Sequence, residues 1–179
     1  LNFEAIILGI VITPLIALYP LAKRFFILPQ FILALTYNWG CFIGWAAIGS
    51  NIPFSSICIL YTSLIFWTLT YDTIYATQDE NEDKDLNLYS STLLFGSKKV
   101  IILNIMIITK YFLIISYGNS LDFGILFKIL IITIFIINLI DINFIWKNKP
   151  EKASSYFSRS NYYGISLLFS IIIGSHFNV

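Results

Sequence analysis

Hydrophobic residues run along this chain in long uninterrupted blocks rather than in short alternating stretches. Six blocks stand out, at about 3–22, 25–49, 54–71, 100–117, 123–146 and 162–177. Each is close to the ~20 apolar residues that a helix needs to cross a hydrocarbon core. Polar punctuation separates them: Lys23-Arg24, the turn Gly49-Ser50-Asn51-Ile52-Pro53, a long stretch from Asp72 to Lys99, the turn Gly118 to Asp122, and Lys147 to Asn161. Pro14, Pro20 and Pro29 fall in or beside the first two blocks, where proline kinks or ends a helix. The pattern predicts an all-α, polytopic transmembrane helix bundle of six spans, with no internal repeat and no second, soluble domain. One domain is expected over 1–179.

Composition supports this reading. Hydrophobic residues make up 58% of the chain and charged ones 12%, with a mean hydropathy of +0.80. A soluble domain carries about 25% charge, and 179 residues could not hide this much apolar surface from water. The net charge of +1 comes without a basic stripe on any element, which gives no footing for nucleic acid. Cys41 and Cys58 lie in apolar blocks without disulfide or metal spacing, and His176 is the one histidine. Zinc chemistry and histidine acid–base catalysis therefore lack material. The chain opens at Leu1 directly into a hydrophobic block, without a signal-peptide pattern, and reads as a fragment or the product of a split gene.

The basic residues test the span count. If every block crosses, Lys23, Arg24, Lys84, Lys98, Lys99, Lys147, Lys149, Lys152 and Arg159 all lie on one side, and the loops of the other side hold none. This asymmetry is a positive-inside signature and assigns that side to the cytoplasm or a mitochondrial matrix. Lys110 and Lys128 lie within spans; Lys110 implies a cavity role or a nearby carboxylate partner. Asn38, Asn104 and Asn138 are expected to bond between helices, and Asn38 could also line a polar cavity. Gly40, Gly44 and Ala47 suit close helix packing.

Chemistry concentrates in Tyr71-Asp72-Thr73-Ile74-Tyr75-Ala76-Thr77-Gln78-Asp79-Glu80-Asn81-Glu82-Asp83-Lys84-Asp85, on the basic side. If the third span continues as a helix, Asp72, Tyr75, Asp79 and Asp83 share an arc of roughly 80°. Carboxylates stacked one turn apart repel, and a hard cation such as Mg²⁺ between them would resolve the conflict. A solvated acidic turn, or an ion-entry site of a transporter, would also carry such residues. Periodicity alone leaves the three readings open.

The words themselves go further. Asp72-x-x-Tyr75-Ala76-x-x-Asp79-x-x-x-Asp83 resembles the second aspartate-rich motif of the UbiA-type membrane prenyltransferases. Tyr19 to Phe25, Pro29-Gln30, Leu35 to Gly40 and Trp67 to Ala76 resemble the 4-hydroxybenzoate branch of that family, as do Ser91-Thr92, Phe95-Gly96, Asn161 and Gly164. The resemblance implies nine transmembrane helices, of which these six look like the last six, and a first aspartate-rich motif that this sequence lacks. The chain would then be the C-terminal part of an enzyme, not active without its N-terminal half.

The implied reaction is Mg²⁺-dependent transfer of a polyprenyl group from polyprenyl diphosphate to the ring of 4-hydroxybenzoate, in ubiquinone biosynthesis, in a bacterial or mitochondrial inner membrane. Asp79, Asp83 and Asp72 are the expected catalytic metal ligands. Lys23, Arg24 and Tyr75 are expected on the diphosphate, and Asn38 and Asn161 as further substrate contacts. Another acceptor within the family (haem or homogentisate), an inactive remnant, and a cation transporter are the alternatives.

Overall fold

The computed structural model describes residues 2–49 and 51–176, and all its regular elements are helices. The first block forms α1 (Phe3–Leu18), which passes through a 3-10 turn at Tyr19–Leu21 into α2 (Ala22–Phe25). Pro14 is accommodated inside α1, while Pro20 falls in the tighter turn. The second block is split into α3 (Pro29–Asn38) and α4 (Gly40–Ile48). No proline causes that break. Thr36 Oγ1 donates to the carbonyls of Ile32 and Leu33, and Asn38 Nδ2 to that of Ala34, so side chains compete for the backbone ladder just before Trp39.

The third block is α5 (Phe54–Tyr75), opened by Pro53. Two short helices follow, α6 (Glu80–Asp85) and α7 (Ser91–Phe95), and then α8 (Lys99–Asn119). α9 (Ile125–Ile140) runs into a π-helical turn at Asp141–Trp146, and α10 (Ala153–His176) closes the described chain. Helix α5 is central and packs on α8, α3 and α10; α9 fills the side between α8 and α10, and α1 lies against α4.

Five segments are long and apolar enough to cross a membrane: Phe3–Phe25, Pro29–Ile48, Phe54–Tyr75, Ser91–Asn119 and Ile125–Trp146. At 1.5 Å per residue, the 22 residues of α5 reach about 33 Å, the thickness of a bilayer core. The expected sixth span differs. α10 has the length, with 24 residues, but its first two turns carry Ser154, Ser155, Ser158 and Arg159, which dilute its apolarity. The expected end of that span at 177, Ser50 of the second turn and the opening Leu1 lie outside the described residues.

Large apolar side chains face outward in helical stripes. Ile101, Ile105, Ile108 and Phe112 on α8, and Ile125, Ile129, Ile132, Ile136 and Ile140 on α9, are all exposed. In water each would forfeit about 1.5–3 kcal/mol of burial; in lipid they forfeit nothing. This chain is an integral membrane protein. The inward faces carry the polar residues instead. Asn38 Nδ2 donates to Thr68 Oγ1 (2.8 Å) and to the Leu64 carbonyl (3.2 Å) on α5. Asn104 and Asn143 exchange a pair of amide bonds (3.0 and 2.9 Å), and Asn138 Nδ2 donates to the Tyr156 hydroxyl. The expectation that all three asparagines join helices is met.

Two ionisable groups sit deep in the bundle. Asp141 is 1% exposed and accepts a bidentate pair from Arg159 (2.7 and 2.6 Å) and a third bond from the Tyr163 hydroxyl (2.6 Å), locking α10 to the end of α9. Lys110 is buried as deeply, with its ammonium 4.0 Å above the Tyr111 ring. No carboxylate among the described residues pairs with it. Asp141→Ala would leave Arg159 and Tyr163 without their shared acceptor and should cost about 3 kcal/mol of unfolding free energy. Tyr163→Phe removes one bond to a charged acceptor and should cost about 1.5 kcal/mol. Denaturant titration in lipid bicelles checks both values and their order.

Candidate functional site at the basic end of the bundle

Helix α5 delivers Asp72 to the basic end in its last turn, and then stops. Its ladder ends where the Ala76 N–H donates to the Asp72 carbonyl (2.8 Å), and Thr77 Oγ1 bonds back to Ile74. Residues 76–79 turn, and Asp79 stands at the start of α6. The expectation of one continuous helical face through Asp72, Tyr75, Asp79 and Asp83 is therefore corrected. A straight continuation would stack Asp72, Asp79 and Asp83 on one face, with repulsion at every step. The turn separates them instead.

Two of the acids on this loop are paired with lysines. Asp83, only 3% exposed, receives Lys23 Nζ on both carboxylate oxygens, at 2.8 and 2.9 Å across 60 residues of chain. Glu80 pairs with the buried Lys99 at the start of α8. Backbone bonds reinforce this seam: Tyr89 N–H donates to the Lys23 carbonyl (2.8 Å), Leu88 N–H to that of Asp83 (2.8 Å), and Ser91 N–H to Gln30 Oε1 (3.0 Å). The α1–α3 corner and the acidic loop are thereby one assembly.

Beneath that seam lies a cavity of about 140 Å³ lined by Tyr19, Pro20, Lys23, Pro29, Gln30 and Asp72. Two prolines form its corner because each ends or begins a helix there. A second, polar hollow of about 250 Å³ lies between the acidic loop and the α9–α10 connection, lined by Thr77, Glu80, Asn81, Lys99, Asn148 and Pro150.

The expected site residues thus separate. Asp72 and Lys23 share the cavity, and Asp83 anchors Lys23 from outside it. Asp79 is exposed on the turn, and Arg24 is exposed beside Leu86, Asn87 and Leu88. Tyr75 is half exposed, its ring 5.1 Å from Phe157 of α10. Asn161 is exposed on α10. Asn38 is buried, and its amide is taken up by helix packing rather than by a cavity. Tyr19 and Gln30 are the cavity residues that charge and periodicity did not single out; the available signal was their position beside Pro20 and Pro29, at the corners that flank Lys23.

Among the described residues, no three acidic, cysteine or histidine side chains come together as a metal site. Mg²⁺ asks for less than that: one or two carboxylates, with water and substrate phosphate completing its shell. Asp72, the one carboxylate in the lining of a cavity it shares with Tyr19, Lys23 and Gln30, meets that requirement, whereas Asp83 has both oxygens on Lys23.

Fold and site together define a polytopic helical membrane protein whose bundle is capped at one end by an ion-paired acidic loop over a small charged cavity. The chain belongs to the UbiA prenyltransferase family, which it matches over residues 1–168. Among its curated relatives, the mitochondrial 4-hydroxybenzoate polyprenyltransferase of Dictyostelium discoideum is 42% identical over 105 residues, covering 59% of this chain and 23% of that protein. The 4-hydroxybenzoate octaprenyltransferase of Francisella tularensis subsp. novicida is 40% identical over 124 residues, covering 69% and 43% respectively. The mitochondrial 4-hydroxybenzoate polyprenyltransferase of Bos taurus is 50% identical over 97 residues, covering 53% and 26%. The chain spans less than half the length of these relatives. A solved digeranylgeranylglyceryl phosphate synthase shares the fold, with a TM-score of 0.75 at 21% identity over 97% of this chain and 62% of that one.

The seam is directly testable. Lys23→Met keeps the aliphatic stem but leaves Asp83 buried beside no charge. The Leu88 and Tyr89 amide hydrogens should then exchange about tenfold faster, the equivalent of about 1.4 kcal/mol lost from the loop. Hydrogen-exchange mass spectrometry on the membrane-embedded protein reads this, and unchanged protection would contradict the seam.

Proposed function

We propose that this chain forms the acceptor-side and diphosphate-side wall of a membrane enzyme that transfers a polyprenyl group from polyprenyl diphosphate to 4-hydroxybenzoate in ubiquinone biosynthesis. Family membership and the names of the relatives support the reaction class. The observation that carries the assignment to these residues is the cavity that Asp72 and Lys23 both line, with Lys23 held by Asp83 of the acidic loop. Chain elements corresponding to the uncovered length of the relatives complete the site in this reading. The basic end faces the cytoplasm or mitochondrial matrix, in a bacterial or mitochondrial inner membrane.

The roles follow from placement. Asp72 offers its carboxylate to Mg²⁺, and Asp79, on the exposed turn, is the next oxygen donor at that end. When bound, Mg²⁺ supplies Lewis-acid neutralisation of the diphosphate leaving group. Lys23 adds a fixed positive charge against the same group, and Asp83 holds the lysine in place so that no reorganisation is needed as charge develops. Arg24, on the rim of the same corner, draws the anionic donor toward the cavity. Tyr75, propped by Phe157, and Asn161 offer hydroxyl and amide groups at the same end. Loss of the diphosphate leaves an allylic cation; the ring carbon ortho to the acceptor hydroxyl forms the new C–C bond, and the ring proton departs. The apolar outer stripes keep the prenyl tail in lipid throughout.

In the enzyme assembled in membranes, Asp72→Asn should lower Mg²⁺-dependent prenyl transfer to 4-hydroxybenzoate by about 10²–10³-fold, with membrane insertion intact. Asp83→Ala should do the same by releasing Lys23. Wild-type turnover in the Asp72 variant would remove the cavity from the reaction, and prenylation of another aromatic acceptor in preference to 4-hydroxybenzoate would reassign the substrate.

A further inference from the structure

Gln30 occupies an unusual position in the cavity wall. It is the second residue of α3, directly after Pro29, and it is 3% exposed. Its Oε1 accepts the Ser91 backbone N–H at 3.0 Å. Only an oxygen can accept from that N–H, so the orientation of the amide is chemically fixed and its NH₂ group points away from Ser91. No acceptor among the described residues takes those two hydrogens. The sealed, unbonded polar atoms of the described interior are Trp67 Nε1, Tyr111 Oη, Asn138 Oδ1 and Trp146 Nε1. Gln30 Nε2 is not sealed in this way, and its residue lines the cavity with Lys23 and Asp72.

The surroundings make this NH₂ group a selective one. Buried amide donors must find an acceptor or lose the free energy of a hydrogen bond. The α3 N-terminus adds the positive end of a ten-residue helix at the same spot. Lys23, shared with Asp83, adds a cationic side chain to the same wall. Three independent sources of positive potential therefore converge on a space whose one negative group is Asp72.

We infer that Gln30 is a substrate-orienting residue: its Nε2 donates to an anionic oxygen, of a carboxylate or a diphosphate, seated between Lys23 and the α3 N-terminus. The inference rests on the prenyl-transfer reading, which brings both kinds of anion to this end of the bundle. Anchoring by Ser91 gives the amide one orientation, so it acts as a ruler for the bound anion rather than as a mobile contact. Because Ser91 also bonds to Thr73 on α5 (2.8 Å), the ruler is tied to the helix that carries Asp72.

Gln30→Glu separates this role from a structural one. A glutamate retains an oxygen for the Ser91 N–H but replaces the NH₂ donors with a negatively charged acceptor. The experiment measures equilibrium binding of inorganic pyrophosphate and of 4-hydroxybenzoate, each with Mg²⁺, to the enzyme assembled in membranes with the elements that complete its site, together with hydrogen exchange of the Ser91 amide. Gln30→Glu should weaken at least one of the two anions about tenfold or more while the Ser91 amide stays protected. A loss confined to pyrophosphate identifies the diphosphate as the ligand of Nε2, and a loss confined to 4-hydroxybenzoate identifies the carboxylate. Gln30→Met should weaken the same anion and also unprotect Ser91. Wild-type affinity for both anions in Gln30→Glu overturns the inference alone. Binding of neither anion by the wild-type protein overturns the prenyl-transfer reading with it.

Discussion

The salt bridge between Lys23 and Asp83 joins two parts of the chain that local sequence keeps far apart, and the basic end of the bundle is arranged around it. Asp83 is buried, so an unneutralised carboxylate there would be costly; Lys23 removes that cost and is held in return. Because Lys23 also lines the cavity with Asp72, one ammonium group serves a structural acid behind it and an open acid in front of it. The loop carrying the remaining acids is then closed down by Lys99 on Glu80 and by backbone bonds at Leu88, Tyr89 and Ser91. Mutual repulsion within the acidic stretch is relieved by two lysines from distant helices and by a turn that breaks the helix. Asp72 takes part in neither of these ion pairs.

The bilayer explains why so much depends on such a small polar region. Between the two ends, lipid permits only helices with satisfied backbones, and the outer faces of α8 and α9 are accordingly apolar stripes. Specificity between helices must come from the few polar side chains turned inward. Asn38 to Thr68, Asn104 to Asn143, and Asp141 to Arg159 and Tyr163 each tie a different pair of helices. The last of these ties down α10, whose Phe157 packs edge-on against Tyr71 and at a tilt against Tyr75 at the end of α5. Packing in the membrane and geometry at the charged end are thus connected through aromatic contacts around Asp72. Lys110 stands outside this scheme, its ammonium resting on the Tyr111 ring.

Sequence periodicity carries the helices well, because a membrane span is a local property: length and apolarity are read residue by residue. The uneven distribution of lysine and arginine likewise places the loops at one end, and the contacts of Lys23 with Asp83 and of Lys99 with Glu80 are of the kind that this placement allows. The break at Trp39 and the end of α5 at Tyr75 are less legible, since both depend on whether a hydroxyl, an amide or a carboxylate competes with the backbone. Pairings across 60 and 61 residues, Lys23 with Asp83 and Gln30 with Ser91, leave no periodic trace at all. Asp141 is an intermediate case. An acid inside an apolar block signals that a partner exists, but nothing local names Arg159. The acidic words around Asp72 resemble a family motif closely, and yet the division of labour within the motif, with Asp72 in the cavity, Asp83 on a lysine and Asp79 on the surface, is a tertiary property.

The central claim is that the open carboxylate of Asp72, in the cavity it lines with Lys23, receives a divalent cation together with a diphosphate. Electron paramagnetic resonance of Mn²⁺, used in place of Mg²⁺ and titrated into the enzyme assembled in membranes with and without pyrophosphate, tests it most directly. The account predicts bound Mn²⁺ that requires pyrophosphate and is lost on substituting Asp72 with asparagine. Mn²⁺ bound equally well without Asp72 would contradict it.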